Sequence, residues 1–67
     1  PYFAVMKADK PIDLESAAKT ADINISTLQT LNPDAKKAGG VVPKEGSLLV
    51  PAEKVQEVQT KLDVHPV

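Results

Sequence analysis

Residues 13–33 read DLESAAKTADINISTLQTLNP, and this stretch decides the fold because it predicts two short helices in succession. Four apolar side chains follow the spacing i, i+3, i+4 and i+7, which places them on one side of the first helix. They are Leu14, Ala17, Ala18 and Ala21. Asp13 is the predicted N-cap, since its carboxylate can accept hydrogen bonds from the first free backbone N–H groups of the helix.

The second helix follows a tight turn at residues 22–25. Its predicted start is Ser26, because residues 26–29 read Ser-Thr-Leu-Gln and have the form of a capping box. Leu28 and Leu31 supply its buried side. The helix ends before Pro33, because proline disfavours helical geometry in the residue that precedes it. Two helices joined by a short turn form a helical hairpin.

Two predicted strands flank this hairpin. The first covers residues 2–6, where alternation places Phe3 and Val5 together, and we expect that side to face the core. The second covers residues 48–50 and ends at Pro51. The simplest arrangement pairs the two strands antiparallel, with the hairpin covering one face of the sheet.

Three further segments complete the chain. Residues 33–47 are rich in Gly, Pro, Lys and Asp, which predicts a long surface loop without regular structure. Residues 53–62 predict a third helix, and residues 63–67 are expected to fray. The apolar side of this third helix consists of Val55, Val58 and Leu62.

Together these elements predict an α+β fold, with a βααβ core in which a two-stranded antiparallel sheet packs on the helical hairpin, and an added C-terminal helix. We expect one domain over residues 1–62 and a C-terminal tail over residues 63–67. The predicted core consists of Phe3, Val5, Leu14, Ala17, Ala18, Ile25, Leu28, Leu31, Leu49 and Val50. Because the 67 residues include no cysteine, helix–sheet packing has to stabilise the domain without disulfides.

The composition argues against several classes of partner. The net charge is −1 and the basic pair Lys36-Lys37 is short, so we expect no nucleic-acid partner. No run of about 18 apolar residues occurs, so we expect no membrane insertion by this segment. Because the chain begins at Pro1 rather than Met, we expect it to be a piece of a longer protein.

The sequence also argues against an enzyme. Glycoside cleavage usually needs a carboxylic acid with a raised pKa and a second carboxylate across a cleft, and so small a domain has little room for such a cleft. Asp13 is better explained as a helix cap. His65 is the only histidine and no cysteine accompanies it, so we expect no metal and no cofactor.

Two sequence patterns carry a resemblance to a known family. Residues 28–33 read Leu-Gln-Thr-Leu-Asn-Pro, and residues 46–51 read Gly-Ser-Leu-Leu-Val-Pro. Together with the βααβ order, they resemble LysM repeats, whose second helix closes with Leu-x-x-Leu-Asn and whose last strand ends in Ile-Pro or Val-Pro.

A closer resemblance covers nearly the whole chain. It is similar to the segment that follows the catalytic domain in membrane-bound lytic murein transglycosylases of the D type. The shared positions are Pro1 and Phe3, Ile12-Asp13-Leu14, the alanines at 17, 18 and 21, the Leu-x-x-Leu-Asn-Pro and Leu-Leu-x-Pro patterns, and Glu53-Lys54. The resemblance implies a non-catalytic accessory domain in the periplasm of the bacterial envelope. It also implies a parent enzyme that cleaves peptidoglycan, with an anchor of that parent in the outer membrane as one option.

The resemblance also implies where a glycan would bind. LysM domains bind N-acetylglucosamine chains, such as peptidoglycan or chitooligosaccharides, between the loop after strand one and the loop after helix two. The implied contacts are Asp9 and Lys10 in the first loop, and Asn32, Asp34, Ala35, Gly39 and Gly40 in the second. The relatives carry Arg-Trp-Ala-Thr-x-Pro in that second loop, whereas residues 36–43 here contain no Trp to stack on a sugar ring.

A structural role is the alternative hypothesis. The domain would then be a spacer that packs against its own catalytic domain or positions further LysM repeats. The apolar side of the third helix would supply the docking surface. An exposed apolar surface would favour the spacer, and a groove with a polar floor would favour glycan binding.

Overall fold

A computed structural model describes residues 2–67, so Pro1, the first residue of the family's Pro-x-Phe pattern, lies outside the described residues. The strands in this range are β1 (Phe3–Ala8), β2 (Ile12–Asp13), β3 (Val41–Val42), β4 (Ser47–Pro51) and β5 (Val64–Pro66). The helices are α1 (Leu14–Ala21), α2 (Ile25–Leu31), α3 (Pro33–Lys37) and α4 (Val55–Lys61), with a 3-10 turn at Ala52–Lys54 before α4. The predicted α+β fold of LysM-like βααβ type is confirmed.

The main sheet has the order β4-β1-β5, and β1 is antiparallel to both neighbours. The pairing of β1 with β4 is the predicted one, and it sets Val5 opposite Leu49. The third strand was not predicted, and the expectation that the last residues fray is wrong. β5 pairs with β1, because Val64 buries its side chain to 6% exposure while its backbone continues the sheet.

The predicted core side of β1 is also wrong. Phe3 and Val5 are 53% and 39% exposed, whereas Met6 and Ala8 are fully buried. Over residues 2–6 both sides are apolar, so alternation within the predicted range could not choose between them, and the opposite choice moves every side chain to the other face. The strand continues to Ala8, and Lys7 lies on the same side as Phe3 and Val5, which marks that side as the outer one. Leu48 and Val50 of β4 are likewise fully buried, and Leu49 is half-buried on the outer side.

Helix α1 follows the prediction closely. The backbone N–H of Ser16 donates to Oδ2 of the N-cap Asp13 at 3.0 Å. The helix ends at Asp22, which adopts a left-handed conformation with φ 56°, and the N–H of Ile23 then donates back to the carbonyl of Ala18 at 2.8 Å. This ending satisfies carbonyl groups that would otherwise lack a partner. All four predicted apolar positions of α1 are buried.

Helix α2 begins one residue earlier than predicted, and its cap is Asn24 rather than Ser26. Oδ1 of Asn24 accepts from the N–H of Ser26 at 2.9 Å and from its hydroxyl at 2.6 Å. The serine hydroxyl therefore donates to the cap instead of serving as one. Leu28 is fully buried as predicted, while Ile25 and Leu31 are half-buried.

The segment predicted as an irregular loop contains α3 and β3, so that prediction is wrong. Pro33 occupies the first turn of α3, where a missing N–H costs nothing. Gly39 and Gly40 have φ of 78° and 80°, which lets the chain reverse after the helix, and the N–H of Gly40 donates to the carbonyl of Ala35 at 2.8 Å.

The apolar side of α4 faces the domain's own core. Val58 is fully buried, and Val55 and Leu62 are half-buried against the same cluster. The expectation that this helix side is a free docking surface is therefore wrong. The buried apolar residues are Met6, Ala8, Ile12, Leu14, Ala17, Ala18, Ala21, Ile23, Leu28, Ala35, Val42, Leu48, Val50, Val58 and Val64.

Candidate functional site

Asn32, a predicted glycan contact, is engaged inside the fold. Its Nδ2 donates to the carbonyls of Leu28 and Leu49, each at 2.8 Å, and its Oδ1 accepts from the N–H of Leu49 at 2.8 Å. Asn32 is 5% exposed and is the only buried polar residue within residues 2–67. The side-chain amide therefore acts like a peptide group from another strand, and it ties the end of α2 to the free edge of β4.

The two loops expected to border a groove are joined directly by backbone hydrogen bonds. Strand β2 pairs antiparallel with β3, so that Ile12 lies opposite Val42 and Asp13 opposite Val41. The N–H of Leu14 also donates to the carbonyl of Gly40 at 2.8 Å. These hydrogen bonds close the space directly between the two segments, so a ligand can bind only beside the β2–β3 junction.

Asp9 and Lys10, the predicted contacts in the first loop, face the C-terminal strand. His65 Nδ1 and Asp9 Oδ1 lie 2.8 Å apart, and Lys10 Nζ lies 3.7 Å from Asp63 Oδ2. The backbone N–H of Asp9 also donates to the carbonyl of Asp63 at 2.8 Å. These contacts hold the start of β5 beside the end of β1.

One cleft lies beside the β2–β3 junction, between the start of α1 and the turn that follows α3. It has a volume of about 240 Å³ and a mostly polar surface. We call it the polar cleft, and its lining residues are Asp13, Leu14, Glu15, Gln29, Lys36, Gly39 and Gly40. It borders the second of the two loops that the resemblance indicated and includes two of the predicted residues there, Gly39 and Gly40, whereas none of residues 9–11 of the first loop lines it.

The other predicted residues of the second loop lie in different clefts. Asp34 and Ala35 line a cleft of about 310 Å³ with β3 and Ser47, and its surface is more apolar. They also line a smaller neighbouring cleft, of about 160 Å³, together with Asn32. The seven predicted contacts thus do not form one surface.

Besides Asp13, which the sequence predicted only as a helix cap, the polar cleft contains three polar side chains that sequence reasoning missed, namely Glu15, Gln29 and Lys36. Each is a polar residue within or just after the predicted hairpin, at a position with no part in the apolar pattern. Only the folded arrangement brings them together, because Glu15 comes from α1, Gln29 from α2 and Lys36 from the unpredicted α3. A carboxylate, an amide and an ammonium group supply both donors and acceptors.

Two lysines form ion pairs with Glu57 on the surface away from the polar cleft. Hydrogen bonds from Lys61, at 3.0 Å, and from Lys54, at 3.2 Å, hold the pKa of Glu57 below its ordinary value. Within residues 2–67, no group of three or more His, Cys, Asp or Glu side chains is arranged to hold a metal ion.

A family model described as the LysM-like domain of the lytic transglycosylase MltD matches residues 2–66. The chain belongs to this LysM-like domain family. Comparison with curated proteins gives no match. The family assignment agrees with the βααβ core. In this LysM-like domain, none of the helices in residues 2–67 combines the length and apolar character needed to cross a membrane.

Proposed function

We propose that this LysM-like domain is a non-catalytic module that binds the N-acetylglucosamine-containing glycan of peptidoglycan, for a lytic transglycosylase that acts in the periplasm of a bacterial envelope. The parent enzyme, by the family's description, supplies the cleavage reaction. The observation that carries the proposal is the polar cleft, because it adjoins the second of the two loops of a LysM-like fold and has a polar floor.

The groups in the polar cleft match the groups on an N-acetylated sugar. Hydroxyl and acetamide groups both donate and accept hydrogen bonds, and the amide of Gln29 can do the same in return. Glu15 supplies an acceptor and Lys36 supplies donors. Gly39 is exposed beside them, and no backbone group within residues 2–67 pairs with its N–H.

The proposal moves the glycan contacts away from part of the predicted set. Gly39 and Gly40 stay in the site, and Asp13, Glu15, Gln29 and Lys36 join it. Asn32 leaves the site because both N–H groups of its amide and one acceptor position of its Oδ1 already form hydrogen bonds inside the fold. Asp9 and Lys10 are paired with His65 and Asp63 instead, at the start of β5.

An amide-shift NMR titration with soluble N-acetylated chitooligosaccharides and muropeptides tests the proposal. Binding is expected to shift the amides of Glu15, Gln29, Lys36 and Gly39. The variant Lys36→Ala should bind about three- to tenfold more weakly, which corresponds to one hydrogen bond.

The neighbouring lysine provides a matched control. Lys37 is also exposed at the end of α3 but is absent from the lining of the polar cleft, so Lys37→Ala should bind like the wild type. Equal losses of affinity in the two variants would show that the overall charge of the domain, and not a contact of Lys36, causes the effect. The absence of any shift at millimolar ligand would reject the glycan-binding proposal.

A second candidate function is that of a spacer that packs on the catalytic domain of the parent. The observation that favours it is an apolar outer face of the main sheet, where Phe3 lies opposite Pro51 and Val5 opposite Leu49. Val67 follows β5 beside Val5 and is also exposed. Contiguous exposed apolar side chains often mark an interface.

The spacer hypothesis is tested by adding the parent's catalytic domain in trans. Amide shifts confined to the outer side of β1 and β4, and lost in Phe3→Thr, would support it. Lys19→Thr on the far, helical side of the domain is the matched surface control.

A further inference from the structure

A second cleft on the domain is separate from the polar cleft. It has a volume of about 450 Å³ and lies between the outer side of α2 and the end of β4. We call it the threonine cleft, and its principal lining residues are Tyr2, Thr27, Thr30, Leu31, Pro51 and Glu53. It shares no lining residue with the polar cleft, although α2 contributes side chains to both.

The walls of the threonine cleft are held by the fold. The carbonyl of Tyr2 accepts from the N–H of Ala52 at 3.2 Å, and the pairing of Phe3 with Pro51 fixes the strands that carry this wall. The other wall is one side of α2, since residues 27 and 31 are one helical turn apart. The backbone on both sides is therefore positioned before any ligand arrives.

The two threonine hydroxyl groups of the cleft differ in their hydrogen bonds to the rest of the domain. Oγ1 of Thr30 donates to the carbonyl of Ser26 at 2.8 Å, which leaves its oxygen as an acceptor. The hydroxyl of Thr27 has no hydrogen-bond partner in the part of the chain that the structure describes. It can therefore donate and accept toward a ligand.

The apolar part of the cleft centres on an aromatic ring. Tyr2 is 87% exposed, and Leu31 and Pro51 are half-buried beside it. An aromatic face near aliphatic side chains, with a few polar groups at the edge, is suited to a ligand that has both apolar and hydroxyl-bearing surfaces. A pyranose ring has this character, because its C–H groups and its hydroxyls point in different directions.

The charge in the cleft restricts the ligand further. Among residues 2–67, Glu53 is the only charged residue that lines it, and no lysine of this range does. The carboxylate accepts hydrogen bonds from sugar hydroxyls and repels an anionic ligand. Phosphates and carboxylate-bearing sugars are therefore disfavoured.

We propose that the threonine cleft binds one uncharged pyranose ring of a glycan, as a second contact distinct from the polar cleft. This inference rests on the proposed function for the class of ligand, since it assigns to the threonine cleft the same glycan that the polar cleft is proposed to bind. Two contacts on one chain of sugars raise the affinity of the domain for a polymer over that for a short fragment.

The test is an NMR titration with an uncharged N-acetylated chitooligosaccharide, using the wild type and the variants Tyr2→Ala and Thr27→Val. The amides of Thr27, Thr30 and Glu53 are expected to shift in the wild type. Tyr2→Ala should weaken binding at these resonances by about three- to tenfold, the size of one aromatic contact. The shifts at Gln29, Lys36 and Gly39 should keep their wild-type midpoint.

A matched pair of threonine substitutions separates binding from folding. Thr27→Val removes the hydroxyl in the cleft, and Thr20→Val makes the same change on the exposed side of α1, away from it. Only Thr27→Val should weaken binding. Equal affinities for wild type, Tyr2→Ala and Thr27→Val would overturn the inference.

The pattern of shifts separates this inference from the proposed function. Shifts confined to the polar cleft overturn the second site and leave the proposed function standing. Shifts confined to the threonine cleft support the second site and reject the polar cleft as the glycan site. No shift at either cleft overturns both.

The charge of the ligand supplies a further readout. A probe with N-acetylmuramic acid, which carries a carboxylate, should bind the threonine cleft more weakly than the uncharged probe, and Glu53→Gln should reduce that difference. Equal binding of the two probes by the wild type would overturn the assignment to an uncharged ring.

Discussion

At the scale of single residues, two buried side chains illustrate different ways of holding this small domain together. Leu28 fills space in the core and is fully buried, whereas Asn32 satisfies backbone groups of another element. The Leu-x-x-Leu-Asn pattern of the family thus combines an apolar contact with a polar one. Neither side chain is free to contact a ligand.

The substitution Asn32→Ala should lower the free energy of unfolding by about 2–4 kcal/mol, because it leaves the N–H and the carbonyl of Leu49 without their partner. Urea unfolding followed by circular dichroism measures the loss. Asn24→Ala is the control, since it removes an exposed helix cap worth about 1 kcal/mol. A loss at Asn32 no larger than that at Asn24 would contradict the assigned role.

The substitution Leu28→Ala should cost about 2–5 kcal/mol, because it leaves a cavity in the core. A core of this size supplies only about 3–5 kcal/mol, so the variant should be largely unfolded. The control is Leu31→Ala in the same helix, where the side chain is half-buried and the loss should be smaller. An unchanged melting temperature for Leu28→Ala would remove Leu28 from the core.

At the scale of elements, the chain after Lys54 adds two pieces to the βααβ core. Helix α4 packs its apolar side inward, and β5 then returns as the third strand of the main sheet. The pair of His65 with Asp9 and the pair of Lys10 with Asp63 hold this return in place. The C-terminal segment is therefore an integral part of the sheet.

Deletion of residues 64–67 should lower the free energy of unfolding by about 2 kcal/mol, the contribution of a buried valine such as Val64. The midpoint of urea unfolding measures the effect. The variant His65→Ala, which keeps Val64, should lose less than the deletion. A deletion variant as stable as the wild type would indicate that β5 contributes nothing to stability.

The ion pairs of α4 should make stability depend on pH. The hydrogen bonds from Lys61 and Lys54 lower the pKa of Glu57 in the folded state, so its stabilising effect is present above the pKa of an unfolded glutamate. That effect is lost as the pH falls through the lowered value. The difference in melting temperature between wild type and Glu57→Gln should therefore shrink with acidification. A difference that stays constant with pH would contradict this.

At the scale of the whole molecule, the domain combines a small core with several distinct surfaces. Its extents are 26 × 22 × 19 Å, yet it carries the polar cleft, the threonine cleft and the apolar outer face of the sheet. The two clefts lie on different sides of α2, and the outer face belongs to β1 and β4. Glycan binding at the polar cleft and packing of the outer face against a neighbouring domain would therefore use different parts of the surface, whereas the threonine cleft shares Pro51 with the outer face.

The sequence by itself determined the elements that local chemistry specifies. The helical spacing of Leu14 to Ala21, the cap at Asp13 and the stop before Pro33 act over a few residues, and the structure has each of them. The antiparallel pairing of β1 with β4 also follows from the order of the elements. These features need no information about distant contacts.

Only the tertiary structure decided which side of residues 2–6 is buried, because both sides of this range are apolar and the polar Lys7 joins the outer side only through the pairing of the strand beyond Met6. It also decided that residues 64–66 form a strand, since a short segment gains its pairing only from β1. The same holds for the polar cleft. Its side chains come from three helices that are separate in the sequence, so their meeting depends on packing and not on any local pattern.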